Sequence, residues 1–173
     1  LGEKREEEAV FVAEHGLLLA LILSILIIPF GYFGVRPFAA MFSSDADIIQ
    51  KTYEYASIVM IFAFGGIICQ AGFAILQGTG NMIQPMIGQL IGAILNIVLD
   101  PIMIFGMFGF PVLGVAGAAV ATVLGQIVGM IYIMLVVFFA KKRLLHLDFR
   151  KFRYKGAIMA DIIRVGLPSA VMQ

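Results

Sequence analysis

With 173 residues, 61% hydrophobic and 13% charged, and a mean hydropathy of +1.02, the chain cannot cover its surface with polar groups. Lipid, not water, must solvate most of it. A net charge of +1 points to no nucleic-acid partner, and the single cysteine, Cys69, excludes a disulfide within the chain.

The chain opens without an initiating Met on a charged stretch, Gly2 to Glu8, and closes at Gln173 inside a new apolar segment. It therefore reads as the interior piece of a longer membrane protein, with no signal peptide at its start. The first apolar segment covers residues 9–33 and is long enough to cross a bilayer. Pro29 is expected to kink it, because a mid-helix proline removes a backbone hydrogen bond. Glu14 and His15 lie near its inner end and are expected to be solvated at headgroup level.

A connection at 34–51 leads to a second span at 55–76, where Gly66, Gln70, Phe73 and Gln77 share a mildly polar face. Residues 77–84 read as a tight turn before a third span at 85–107. On that span Gln89, Asn96 and Asp100 are spaced by seven and four and so lie on one helical face. Gly88 and Gly92 form an adjacent small-residue stripe suited to close helix approach. After a connection at 108–114, a fourth span at 115–140 carries Gly117, Ala121, Gly125 and Gly129 as a continuous ridge. Thr122 and Gln126 stand beside that ridge, one turn apart. A fifth span begins near Asp161.

The loop at 141–155 holds Lys141, Lys142, Arg143, Arg150, Lys151, Arg153 and Lys155 against a single Asp148, which makes it cytoplasmic by the positive-inside rule. Counting back through the spans places 77–84 inside as well. The aromatic, base-poor connections at 34–51 and 108–114 then face outward, like an interfacial belt.

Between Glu54 and Lys141 the only charged side chain is Asp100. A carboxylate in hydrocarbon costs on the order of 3 kcal/mol or more, so it reads as a functional group. At 1.5 Å per residue it lies ~22 Å from Pro85 along the helix axis, in the outer half of the membrane. Desolvation disfavours a charged carboxylate, which suits proton uptake and release. The alternative is an ionised Asp100 holding Na⁺ with help from the Asn96 carbonyl, since hard cations prefer oxygen ligands. Gln70, Gln89, Thr122 and Gln126 are candidates for lining the same cavity.

Catalytic chemistry finds no support. Gln77-Gly78-Thr79-Gly80-Asn81 lacks the lysine of a phosphate loop. There is no His-x-x-x-His or cysteine pair for a metal, and Asp100, the one acid read as intramembrane, leaves no carboxylate pair for hydrolysis inside the bilayer. Neither an enzyme nor a cofactor is expected.

Three stretches resemble the multidrug and toxic compound extrusion (MATE) transporters. They are Gln77-Gly78-Thr79-Gly80-Asn81-Met82-Ile83-Gln84-Pro85-Met86, Asn96-Ile97-Val98-Leu99-Asp100-Pro101 through Gly106, and Gly114-Val115-Ala116-Gly117-Ala118-Ala119 through Thr122. The opening Leu1 to Ala9 is similar to that family's inner loop between its second and third helices, and Gly166-Leu167-Pro168-Ser169 to the start of its seventh. One departure is Asn81, where many members carry Asp.

The resemblance implies an all-α, polytopic bundle: helices three to six of a twelve-helix, two-lobed cation antiporter. Residues 1–140 would belong to the N-terminal lobe, 141–160 to the cytoplasmic inter-lobe loop and 161–173 to the start of the C-terminal lobe. Asn96 and Asp100 match a cation-coupling pair on the fifth helix. The implied partners are the lipid bilayer, cationic or amphipathic drugs and the remaining helices of the transporter, with H⁺ or Na⁺ as coupling ion. Two other readings stand beside it: a lipid-linked oligosaccharide flippase of the same superfamily, and a non-transporting membrane assembly subunit.

Overall fold

The structure, a computed structural model, describes residues 6–139 together with 156, 159, 160, 162–164 and 166. The basic segment 141–155, on which the orientation rests, and most of the segment from 156 onward lie outside the described residues. Among those described, all regular structure is helical. The elements are α1 (Glu6–Pro29), a π-helical turn (Phe30–Gly34), α2 (Val35–Ala40), α3 (Ala46–Ile61), α4 (Phe64–Gly78), α5 (Ile83–Phe105), a 3₁₀ turn (Met107–Gly109) and α6 (Gly114–Phe139). Three stretches, Ala9–Ala40, Ile83–Phe105 and Gly114–Phe139, are long and apolar enough to cross a membrane. Helices α3 and α4, bent by 51° at their junction, make a fourth if counted as one crossing.

The first span does not stop at residue 33. Pro29 has no N–H to donate, and the helix answers with one π turn before resuming as α2. Pro37 falls in the first turn of α2, where a missing N–H is tolerated. The expected connection at 34–51 therefore shrinks to a few residues around Ser43.

The second span starts at Ala46, not 55, because its first turns are polar yet well capped. The Asp45 carboxylate accepts the Asp47 N–H at 2.8 Å, and Lys51 reaches back to Asp47 at 2.6 Å. This span then breaks at Phe62 and Ala63. The following glycine pair lets α4 approach the α6 backbone closely: a Cβ at Gly65 would sit 3.3 Å from the Ile127 nitrogen.

Glu14 and His15 are buried, 3% and 0% exposed, instead of solvated. Hydropathy located their depth along the helix; packing decided their surroundings. They share a stretch with Ala13, Leu17 and Ala20, which α1 buries as it packs on α4. The His15 ring Nδ1 lies 2.8 Å from the Phe11 carbonyl oxygen.

Helix α6 is the centre of the bundle and touches α3, α4 and α5. Its small-residue ridge packs on α5. A Cβ at Gly125 would stand 2.8 Å from the Gly92 carbonyl oxygen, and one at Gly92 would stand 3.2 Å from that of Gly125. Ile133, fully buried, fills the space left by Gly72 on α4 and Gly88 on α5. Ile133→Val removes one methylene there and should cost about 1 kcal/mol, read as a lower thermal midpoint of the membrane-extracted protein.

The rest of the apolar surface faces outward: Leu26, Leu90, Ile94, Ile97 and Leu135 are all exposed, as a lipid-solvated bundle requires. Gly80, with φ of +81°, makes the turn into α5, and the Asn81 side-chain oxygen accepts the Gln84 N–H at 3.2 Å. The substitution of Asn for Asp at this position keeps a helix-capping acceptor.

Candidate functional site

Helices α4, α5 and α6 enclose an open cavity of about 730 Å³. Its wall is mostly small and apolar, with Gly66, Gly88, Gly92, Gly125 and Gly129 making room for it. The polar groups on it are Gln70 from α4, Gln89 and Asn96 from α5, and Thr122 and Gln126 from α6. The structure thus brings the five amide and hydroxyl candidates to one cavity, and among the described residues no Lys, Arg or His lines it. Cys69, read from sequence as a small buried residue, is buried in the core cluster and also touches the cavity.

Asp100 stands one turn beyond the cavity, behind Asn96. Pro101 does not end the helix, which runs on to Phe105, so Asn96 and Asp100 keep the same face through an unbroken i, i+4 step. The Asn96 amide is held between Asp100 on its own helix and Thr122 on α6.

The Asn96 amide has one orientation in which both of its ends are satisfied. Asn96 Nδ2 then donates to the Asp100 carboxylate at 3.2 Å, while its oxygen accepts from the Thr122 N–H at 3.2 Å and hydroxyl at 3.3 Å. With the amide reversed, its oxygen faces Asp100 Oδ2 and its nitrogen faces the Thr122 N–H, so acceptor meets acceptor and donor meets donor. The Thr122 hydroxyl also lies 2.9 Å from the Ala118 carbonyl oxygen. Asp100 Oδ1 is buried with no hydrogen-bond partner among the described residues.

This pairing depends on register between α5 and α6. The interlocked glycines set that register, and the Tyr132 hydroxyl ties it at the inner end by donating to Gln84 Oε1. Spacing within one helix revealed Asn96 and Asp100; no sequence signal pairs Thr122 with Asn96, because the contact crosses 26 residues. Gly66 was visible only as part of a polar face. Its function is local space, since a Cβ there would press on the Gln126 carboxamide at 3.1 Å.

Among known proteins, the MatE family model matches residues 1–102. The probable multidrug resistance protein NorM of Thermotoga maritima is 37% identical over 127 residues, spanning 73% of this chain and 27% of the relative. The multidrug export protein MepA of Staphylococcus saprophyticus is 27% identical over 172 residues, spanning 99% of this chain and 37% of the relative. Two solved conformations of a multidrug resistance MATE family transporter of the MOP superfamily superimpose closely. The inward-facing one has a TM-score of 0.88 at 33% identity over 97% of this chain, and the outward-facing one 0.89 at 32% over 98%. The chain spans 37% of each of those structures.

Proposed function

The chain belongs to the MatE family, and from that premise we propose that it forms most of one lobe of a secondary multidrug efflux transporter. The transport reaction is cation:drug antiport by alternating access, with Asp100 and Asn96 as the cation-coupling pair. The observation that carries this reading is the Asp100–Asn96–Thr122 chain, which joins the one charged group of α5 to the wall of an amide-lined cavity. A cation taken up at Asp100 competes for the carboxylate that the Asn96 amide bonds, and the change is felt on α6 through Thr122.

Rocking of rigid bundles around a central site is the expected motion of such a transporter. The near-equal match of this chain to an inward-facing and an outward-facing relative supports a lobe that moves as one body. A flippase for lipid-linked pyrophosphates is disfavoured by the cavity wall, which among the described residues offers no Arg or Lys to the phosphates.

Cells producing the full-length protein should accumulate less ethidium than cells without it, and an agent that collapses the ion gradients should erase the difference. Equal accumulation despite confirmed membrane insertion would count against transport. Within that assay Thr122→Val leaves the Asn96 amide without its hydroxyl partner. Leaving a buried acceptor short of a partner costs roughly 1–3 kcal/mol, so efflux should slow about tenfold, whereas Thr122→Ser should retain it.

A further inference from the structure

Two buried side-chain oxygens lack a hydrogen-bond partner among the described residues: Asp100 Oδ1 and Gln126 Oε1. The first belongs to the coupling pair. The second has no part in it, yet it sits on the cavity wall one turn from Thr122. Opposite it on α4 stands Gly66, where a Cβ would lie 3.1 Å from both Cδ and Oε1 of Gln126. The glycine gives the carboxamide its place. The terminal torsion of a glutamine is broad, so a small rotation turns the same oxygen from the wall into the cavity.

An unpartnered acceptor in apolar surroundings gains most from a donor, and most of all from a charged one. It offers nothing comparable to a cation whose charge is shielded by carbon. A site with a waiting acceptor discriminates sharply against analogues that lack the matching N–H. We propose that Gln126 is a specificity-determining residue for organic cations bearing N–H donors, selecting them over quaternary cations that bear none. This inference rests on the transport reading above and names the substrate class of that same cavity.

The test measures transport of two probes by the full-length protein in vesicles: ethidium, which carries two aromatic amines, and tetraphenylphosphonium, which has no N–H. Gln126→Met keeps the volume and removes the acceptor. It should raise the half-saturating ethidium concentration about tenfold or more while changing that of tetraphenylphosphonium far less. Gln126→Glu, which retains an acceptor, should restore ethidium selectivity. Gly66→Ala, which presses on the carboxamide, should shift selectivity in the same direction as Gln126→Met.

Parallel loss of both probes in Gln126→Met would overturn the proposal and make Gln126 a packing residue. Unchanged handling of both would overturn it as well. Wild-type protein that moves neither probe would remove the transport reading itself, and the inference with it.

Discussion

Asp100→Asn should leave the protein folded and inserted in the membrane while reducing gradient-driven drug efflux to the level of cells that lack it. The substitution is close to isosteric, so helix α5 and its contacts with α6 are undisturbed. What disappears is the ability to hold a charge or exchange a proton. Because a buried carboxylate costs on the order of 3 kcal/mol in the bilayer, its removal should raise thermal stability or leave it unchanged. Loss of transport with retained stability is the signature of a coupling group. A structural acid would give the opposite: stability lost with the side chain. The assembly-subunit reading makes its own prediction here, that Asp100→Leu is tolerated in every assay. Normal drug resistance in cells producing Asp100→Asn would remove Asp100 from the mechanism.

The largest effect on folding is expected at Gly117. A Cβ there would collide with the Met103 carbonyl, its carbon at 2.6 Å, and would stand 3.1 Å from the Ile104 nitrogen. All of these partners are backbone, so no rotamer change relieves the contact; α5 and α6 would have to separate. Overpacking of this kind costs roughly 1–3 kcal/mol for a methyl group and more for a larger side chain.

The ridge supplies its own graded controls. Gly125 would meet the Gly92 carbonyl oxygen at 2.8 Å, and Gly129 would meet that of Gly88 at 3.5 Å, an ordinary contact. Thermal midpoints in detergent should therefore fall most for Gly117→Ala, less for Gly125→Ala and little for Gly129→Ala. Gly117→Ala should also impair transport, since separation of the helices breaks the Asn96–Thr122 contact. Equal midpoints across the series would contradict the packing described here.

Much of this architecture was legible in the residues, and the parts that were not share a cause. Hydropathy reports depth, so it located the cores of the spans and singled out Asp100 in an otherwise uncharged stretch. Periodicity reports one helix face, so it joined Asn96 to Asp100 and Gly88 to Gly92. Neither reports which way a face turns in the bundle. That is why Glu14 and His15 were expected in solvent when the folded bundle buries them, and why Thr122 could be placed beside the ridge but not against Asn96. Helix boundaries failed where local chemistry compensated for an unfavourable residue. The π turn after Pro29 carries the first span to Ala40, and the Asp45 cap starts the second at Ala46, well before its apolar run. The break at Phe62 and Ala63 has no proline to announce it; the glycine pair that follows is its only trace in the sequence.

The measurement that bears most directly on the central claim is ethidium uptake by inverted vesicles containing the full-length protein, with H⁺ and Na⁺ gradients imposed one at a time. Cation:drug antiport through Asp100 predicts uptake that follows one of the two gradients, stops when that gradient is collapsed and is absent in Asp100→Asn. The gradient that drives uptake names the coupling ion at Asp100. A well-folded wild-type protein that moves no drug under either gradient would contradict the account.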